Sequence, residues 1–133
     1  MHITVATPSN DTVFKVENAT ADWGKFCWNR SYDEVSKDEL NVDIDYLHPL
    51  IFTPRSRSWT PFGIEGNFNI SVKMEDNSTH PVSHVWYDYG FWDSEATLVV
   101  LQADLESDYS CNHVGSFVIQ CDKMVAKNET EIE

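Results

Sequence analysis

Asparagine is the residue type most conspicuously spaced for chemistry in this chain. Asn10-Asp11-Thr12, Asn18-Ala19-Thr20, Asn29-Arg30-Ser31, Asn69-Ile70-Ser71, Asn77-Ser78-Thr79 and Asn128-Glu129-Thr130 all read N-x-[ST], so six of the nine asparagines are glycan acceptors by sequence. Chance would place about one or two. The side-chain amide of this tripeptide receives an N-linked glycan in the secretory pathway of a eukaryote, or of a virus growing in one. The expected localisation is therefore secreted, or the extracellular face of a membrane.

Arg55-Ser56-Arg57-Ser58-Trp59 is a basic, aromatic island on a proline-rich stretch of a strongly acidic chain. Arginine and tryptophan anchor interfaces more than other residues, and proline lowers the cost of ordering a loop. Arg55, Arg57 and Trp59, with Trp92 at a strand turn, are the candidate partner contacts. The plainer reading has the arginines satisfying neighbouring carboxylates and Trp59 plugging the end of a sandwich.

His80, His84 and Asp88, and Asp43, Asp45 and His48, match metal ligands in composition only. Strand positions four apart share a face but stand roughly 13 Å apart, too far to chelate one ion unaided. They read as turn and surface histidines and a solvated acidic face, so no metal is expected. The nucleophile-elbow, zincin, phosphate-loop and dinucleotide patterns are missing, which gives no cofactor and no enzyme as the expectation. Carboxylate pairs for glycoside hydrolysis exist among 22 acidic residues, but an acid-rich chain always offers pairs.

Three cysteines in an oxidising compartment leave one over. Cys111 and Cys121 flank a turn and can face each other across antiparallel strands, the favoured pairing. Cys27 is the alternative partner, through a long loop with a larger effect on the unfolded chain. The odd thiol is either buried and inert or a link between chains.

At 133 residues the chain is long enough for one core, expected over 1–121 with a polar tail or stalk over 122–133. Met1–Thr4 lacks the basic and apolar regions of a signal peptide, so the reading is of a mature or trimmed chain. No apolar run approaches the ~20 residues of a membrane span. The net charge of −13 excludes a phosphate-neutralising surface for nucleic acid, and an anionic membrane is equally disfavoured. Such charge keeps a chain soluble; its sharper consequence is long-range attraction of a basic ligand.

The elements that position these residues read as strands. Ile3 and Val5, then Phe14 and Val16, alternate with polar residues around the turn at Pro8–Asp11. Trp23–Trp28 is a short apolar strand, and Ser31–Glu39 is a loop or one helical turn. Leu40, Val42, Ile44 and Tyr46 alternate as a strand with an acidic face. His48–Gly63, with three prolines, reads as an extended edge or long loop. Phe68, Ile70, Val72 and Met74 form the cleanest strand, with Asn69 on its polar face. Trp86-Tyr87 reads as a buried aromatic strand, with Val85, Tyr87, Tyr89 and Phe91 on the face opposite His84, Trp86 and Asp88. Thr97, Val99, Leu101 and Ala103 are read as an inner face, and Leu98 and Val100 behind them suggest a central strand. A last hairpin turns at Asn112–Gly115, with Phe117, Ile119 and Cys121 inward. Eight to nine short strands without a long amphipathic helix predict an all-β chain, an antiparallel β-sandwich or small barrel.

Leu98-x-x-Leu101 followed by Tyr109-Ser110-Cys111 resembles the E–F corner of immunoglobulin-like domains, and Val85-Trp86-Tyr87 is similar to their strand C tryptophan. Phe68–Met74 would stand where strand B does. The resemblance covers about a third of the chain. It departs in lacking a cysteine on Asn67–Met74, which puts the inter-sheet disulfide in doubt, and in a compressed interval from Trp86 to Cys111. The sandwiches of viral immune-evasion glycoproteins fit about as well. The expected function is that of a glycoprotein ectodomain, cellular or viral, of receptor, adhesion or immune-modulating type. Its partner would be an extracellular protein, with a basic cytokine or a cell-surface receptor as the forms that charge would steer. One alternative is a carbohydrate-binding module or small glycosidase using Trp59, Trp86 and Trp92 as platforms. Another is a structural wall or coat component that self-associates.

Overall fold

The computed structural model of the chain describes residues 2–22, 24–28, 33–56, 64–89, 96–103 and 107–124. Among these, ten strands form two sheets. They are β1 (Ile3–Ala6), β2 (Val13–Glu17), β3 (Gly24–Trp28), β4 (Glu34–Val35), β5 (Leu50–Ser56), β6 (Ile64–Lys73), β7 (Thr79–Tyr89), β8 (Ala96–Gln102), β9 (Tyr109–His113) and β10 (Val118–Lys123). The six-stranded sheet runs β4-β3-β5-β1-β10-β9 and the four-stranded sheet β2-β6-β7-β8. All pairings are antiparallel except β1 with β10.

The sheets pack face to face because period-two alternation gives each strand one apolar side. Ile3, Val5, Phe26, Phe52 and Ile119 come from one sheet, and Phe14, Val16, Phe68, Ile70, Val85 and Tyr87 from the other, into one buried cluster. Phe52 meets Phe68 across the gap, edge to face at 5.5 Å between ring centroids, and Phe14 meets Tyr109 at 6.0 Å. Tyr87 is buried with its hydroxyl donating to the Thr20 carbonyl at 2.6 Å. Gly66 makes that contact possible: a Cβ there would lie 2.1 Å from Thr20 O and 2.5 Å from the Tyr87 hydroxyl.

Strand direction gives the sandwich two distinct ends. The β5–β6 and β7–β8 connections leave and return at one end, through Ser56, Ile64, Tyr89 and Ala96. The turn at Met74–Ser78 and the C-terminal ends of β1 and β3 lie at the other.

Several expectations change. β8 is turned over and moved: Leu98 is buried, Thr97, Val99 and Leu101 point outward, and the strand is an edge. Apolar residues on both sides of that strand leave period two without a sign. Trp86 lies on the outer face of its sheet and is half exposed, not buried. The stretch from Leu40 to Tyr46 is no strand. A 3-10 turn over Lys37–Leu40, closed by a Ser36–Glu39 capping box, leads into single bridges, with Leu40 and Ile44 buried and Val42 and Tyr46 exposed. The proline-rich stretch contributes an interior strand: β5 lies between β3 and β1, but its ladder with β1 stops at Phe52. Pro54 therefore falls where the strand is locally an edge, and a missing N–H breaks no ladder there.

The segments that resemble strands B, C and E of an immunoglobulin domain are β6, β7 and β8, side by side in one sheet. Immunoglobulin domains put C in the sheet opposite B and E. What the chain shares with them is the two-sheet architecture.

Candidate functional site

The outer face of the four-stranded sheet is organised by register into three rows that all end on β8. Asp22, Glu65, Asp88 and Thr97 are successive cross-strand partners in the first row. Asn67, Trp86 and Val99 form the second. Glu17, Asn69, His84 and Leu101 form the third.

The first row sets carboxylates directly opposite one another, an arrangement that destabilises a sheet. All three acids are exposed, and none pairs with a cation among the described residues. The middle and last rows carry an apolar patch: Trp86 is 50% exposed, Val99 42% and Leu101 49%. His84 stands edge-on to Trp86, with centroids 5.0 Å apart, and its Nδ1 is hydrogen-bonded to the Asn69 side-chain oxygen. That contact fixes the imidazole against the half-exposed indole.

The opposite margin of the same sheet is closed. Phe14 N donates to Ile44 O at 2.9 Å and Ile44 N to Phe14 O at 2.8 Å, so the Leu40–Ile44 segment covers β2. Lys73 Nζ lies 3.1 Å from Asp43 Oδ2 and Lys15 Nζ 3.6 Å from Asp43 Oδ1. Lys15 also donates to Asn41 at 3.0 Å.

The residues singled out by sequence are distributed as follows. Arg55 is half-buried in β5 opposite Lys25 and is not a free cation. Arg57, Trp59 and Trp92 lie outside the described residues; their connections are anchored at Ser56, Ile64, Tyr89 and Ala96. Among the acceptor asparagines, Asn10, Asn18 and Asn77 are exposed and Asn69 is half-buried on the outer face, while Asn29 and Asn128 lie outside the described residues. Asn18 and Asn77 have positive φ, 55° and 69°, which asparagine tolerates better than most residues. His80 is exposed, His84 is held by Asn69, and Asp45 accepts from His48 Nδ1 at 2.8 Å. Among the described residues no group of three His, Cys, Asp or Glu is placed to hold a metal ion.

Cys111 and Cys121 are directly opposed in the β9–β10 hairpin and joined as a disulfide. Cys27 is free and buried in β3, with β5 and β1 standing between it and β10, which rules it out as their partner. Among the described residues no helix is long and apolar enough to cross a membrane.

A cleft of about 470 Å³ opens at the turn end beside Asp11, Asp76 and His80. Hydroxyls of Ser9 and Thr12 hold the Asp11 carboxyl below its ordinary pKa, and Ser78 does the same for Asp76. Both acids are kept ionised, the reverse of what a proton-donating acid of a glycosidase needs. The phenol of Tyr87 is raised instead, by burial first and by the Asp22 charge second.

No family model matches the chain, and no curated protein matches it by sequence. Solved structures do. The chain is similar to the RahU protein, whose crystal structure was determined in complex with a TRIS molecule, at 19% identity and a TM-score of 0.72, covering 95% of this chain and 96% of that one. It is also similar to IP-1A from Alcaligenes faecalis at 23% identity and a TM-score of 0.72, covering 94% and 91%. At these identities the likeness is one of fold, and it extends over nearly the whole chain.

The acid row and the outward patch were missed by sequence reading. The seven residues of β8, Ala-Thr-Leu-Val-Val-Leu-Gln, hold no charge, which is the signal that could have pointed to a surface with a special use.

Proposed function

We propose that the chain is a secreted or surface-displayed glycoprotein module that acts by binding a protein partner. The observation that carries this reading is the outer face of the four-stranded sheet. Trp86, Val99 and Leu101 are uncovered together, next to a row of carboxylates without counter-charges among the described residues. Contiguous exposed apolar surface rimmed by polar groups is characteristic of interaction sites. An aromatic anchor beside unpaired charge supplies the affinity and the steering that a protein interface uses.

The placement of Asn10 and Asn77 supports the reading, while Asn69 lies on the outer face itself, opposite His84. Asn10 and Asn77 lie at the turn end, away from Ser56, Ile64, Tyr89 and Ala96, which anchor the connections bearing Arg57, Trp59 and Trp92. Glycans on those two asparagines stand at the opposite end from those anchors. The disulfide fits an oxidising compartment. Arg57, Trp59 and Trp92 join the outer face as the proposed contact set. An immune modulator, cellular or viral, is the narrower form of this proposal.

The test is capture of extracellular proteins from serum and cell-surface fractions by the glycosylated chain. One saturable, salt-sensitive protein is expected, lost with Trp86→Ala or with the Arg57→Ala, Trp59→Ala double variant. Capture of no protein at all overturns the reading.

The exposed Trp86 also favours a second reading, a carbohydrate-binding module in which the indole, held by His84, is a stacking platform. Binding on a glycan array that is lost with Trp86→Ala, without protein capture, would select it.

A further inference from the structure

We propose that β8 is an acceptor edge, and that the partner supplies a basic, extended segment which adds to it as an outer strand. This rests on the protein-binding reading and gives its site and the partner's chemistry.

A sheet edge presents unpaired backbone groups, and proteins guard edges by shortness, charge, proline, bulges or cover. Three of the four sheet margins here are guarded. β4 has two residues. β2 is bridged by Ile44 and flanked by Lys15 and Lys73 on Asp43. β9 has five residues and is stapled to β10 by the disulfide. β8 has seven residues without a charge, a proline or a glycine. It pairs only with β7 among the described strands. One end is tied down, where Gln102 Nε2 donates to Tyr109 O at 2.9 Å. Among the described residues, the Ala96–Leu101 stretch ahead of it is the open length.

The rows on the outer face specify what an added strand must carry. Its outward residues would stand beside Thr97, Val99 and Leu101, about 6–7 Å apart along the strand. Beside Val99 and Leu101, apolar side chains complete the patch begun by Trp86. Beside Thr97 the row continues to Asp88, Glu65 and Asp22, so a lysine or arginine is the fitting residue. Its backbone would lie two strand spacings from β7, roughly 9–10 Å, which a lysine and an aspartate bridge together. A second copy of this chain does not meet that requirement, since β8 has no cation and each copy has a net charge of −13. Main-chain pairing with alternating side-chain pockets is an established way to hold a peptide.

The probe is the capped peptide Lys-Thr-Val-Thr-Val-Thr-Lys, which offers a lysine to the acid row in either direction, with a counterpart bearing Glu for Lys. Hydrogen exchange of the intact protein is expected to slow at the amides of 96–101 when the lysine peptide binds. Affinity should fall at least tenfold for the glutamate peptide and for Val99→Lys or Leu101→Lys, two exposed positions. Asp88→Asn should flatten the salt dependence of binding. No slowing on β8, equal binding of both peptides, or binding indifferent to Val99→Lys overturns the proposal. So does a concentration-dependent dimer abolished by Val99→Lys, which would give the edge to a second copy. A captured protein that ignores Val99→Lys but is lost with Arg57→Ala and Trp59→Ala removes the edge and keeps the function. Peptide binding on β8 without any captured protein keeps the edge and removes the function.

Discussion

The two outer strands of the four-stranded sheet, β2 and β8, solve the same problem in opposite ways. β2 alternates Phe14 and Val16 inward with Lys15 and Glu17 outward, and the chain returns through Leu40–Ile44 to bridge its free backbone. The acid in that cover, Asp43, is shared by two lysines. β8 has apolar residues on both faces, no returning segment among the described residues, and an acid row ending beside it without cations. One margin has its backbone and charges satisfied within the chain. Among the described residues the other leaves both kinds of group unsatisfied, which is why we propose the second as the site.

If that contrast is right, the largest difference should come from truncating an apolar side chain on each margin. Ile44→Ala removes a fully buried side chain that also holds the cover on β2, and should cost about 3 kcal/mol or more. Leu101→Ala, at 49% exposure, should change stability by less than about 0.5 kcal/mol. Urea unfolding of the two variants checks this. A comparable loss from Leu101→Ala would mean that β8 is covered after all.

The next effect lies between the margins, where the chain continues from β2 along β6 through Thr20. Tyr87→Phe removes the hydroxyl that donates to Thr20 O at 2.6 Å, and should cost about 1–2 kcal/mol by leaving a carbonyl without its donor. Thermal unfolding measures it. No loss would show that water replaces the phenol and that the β2 continuation is not held from the sheet interior.

How much of this was legible follows from the same contrast. Where only one side of a strand is apolar, the sequence decides which side is inside: Ile3 and Val5, Phe14 and Val16, and Phe68, Ile70 and Val72 are all buried as their alternation demands. The Cys111–Cys121 pairing was legible too, because a short turn fixes the register of its hairpin. Alternation fails on β8, whose two faces are equally apolar, and the strand was read inside out. It also fails over Leu40–Tyr46, where the capping box of Ser36 and Glu39 winds the chain before the alternating residues can extend. The acid row is invisible for another reason. Asp22, Glu65 and Asp88 are far apart in sequence and become neighbours only through register, which no local pattern carries. Trp86 was singled out as a platform but read as strand core, since a tryptophan's burial depends on whether a second layer covers its face.

A smaller effect separates the margins by sign. Removing a carboxylate should help on the β8 side and hurt on the β2 side. Glu65→Gln relieves a like-charge cross-strand pair with Asp88 and should stabilise by a few tenths of a kcal/mol. Asp43→Asn takes the shared acid from Lys15 and Lys73 and should destabilise by a similar amount, less in high salt. Paired urea titrations at low and high salt read both. The same sign for the two substitutions would remove the claim that the acid row is unsatisfied.

The smallest effect is in acid. The Asp45 carboxyl, in the bend that follows the cover on β2, is held below its ordinary value of 3.8, first by its hydrogen bond from His48 and then by the Leu47 amide. A pKa lower in the folded than in the unfolded state means that the unfolded chain takes up protons first as pH falls. The contribution is therefore complete above about pH 4 and is lost as pH drops through the depressed folded value. Asp45→Asn should leave stability above pH 4 nearly unchanged beyond the loss of that bond, and should flatten the fall of the urea midpoint below about pH 4. Because Asp45 is open to water the flattening should be slight, and a variant as acid-sensitive as the parent would show that the bend does not hold the β2 margin closed.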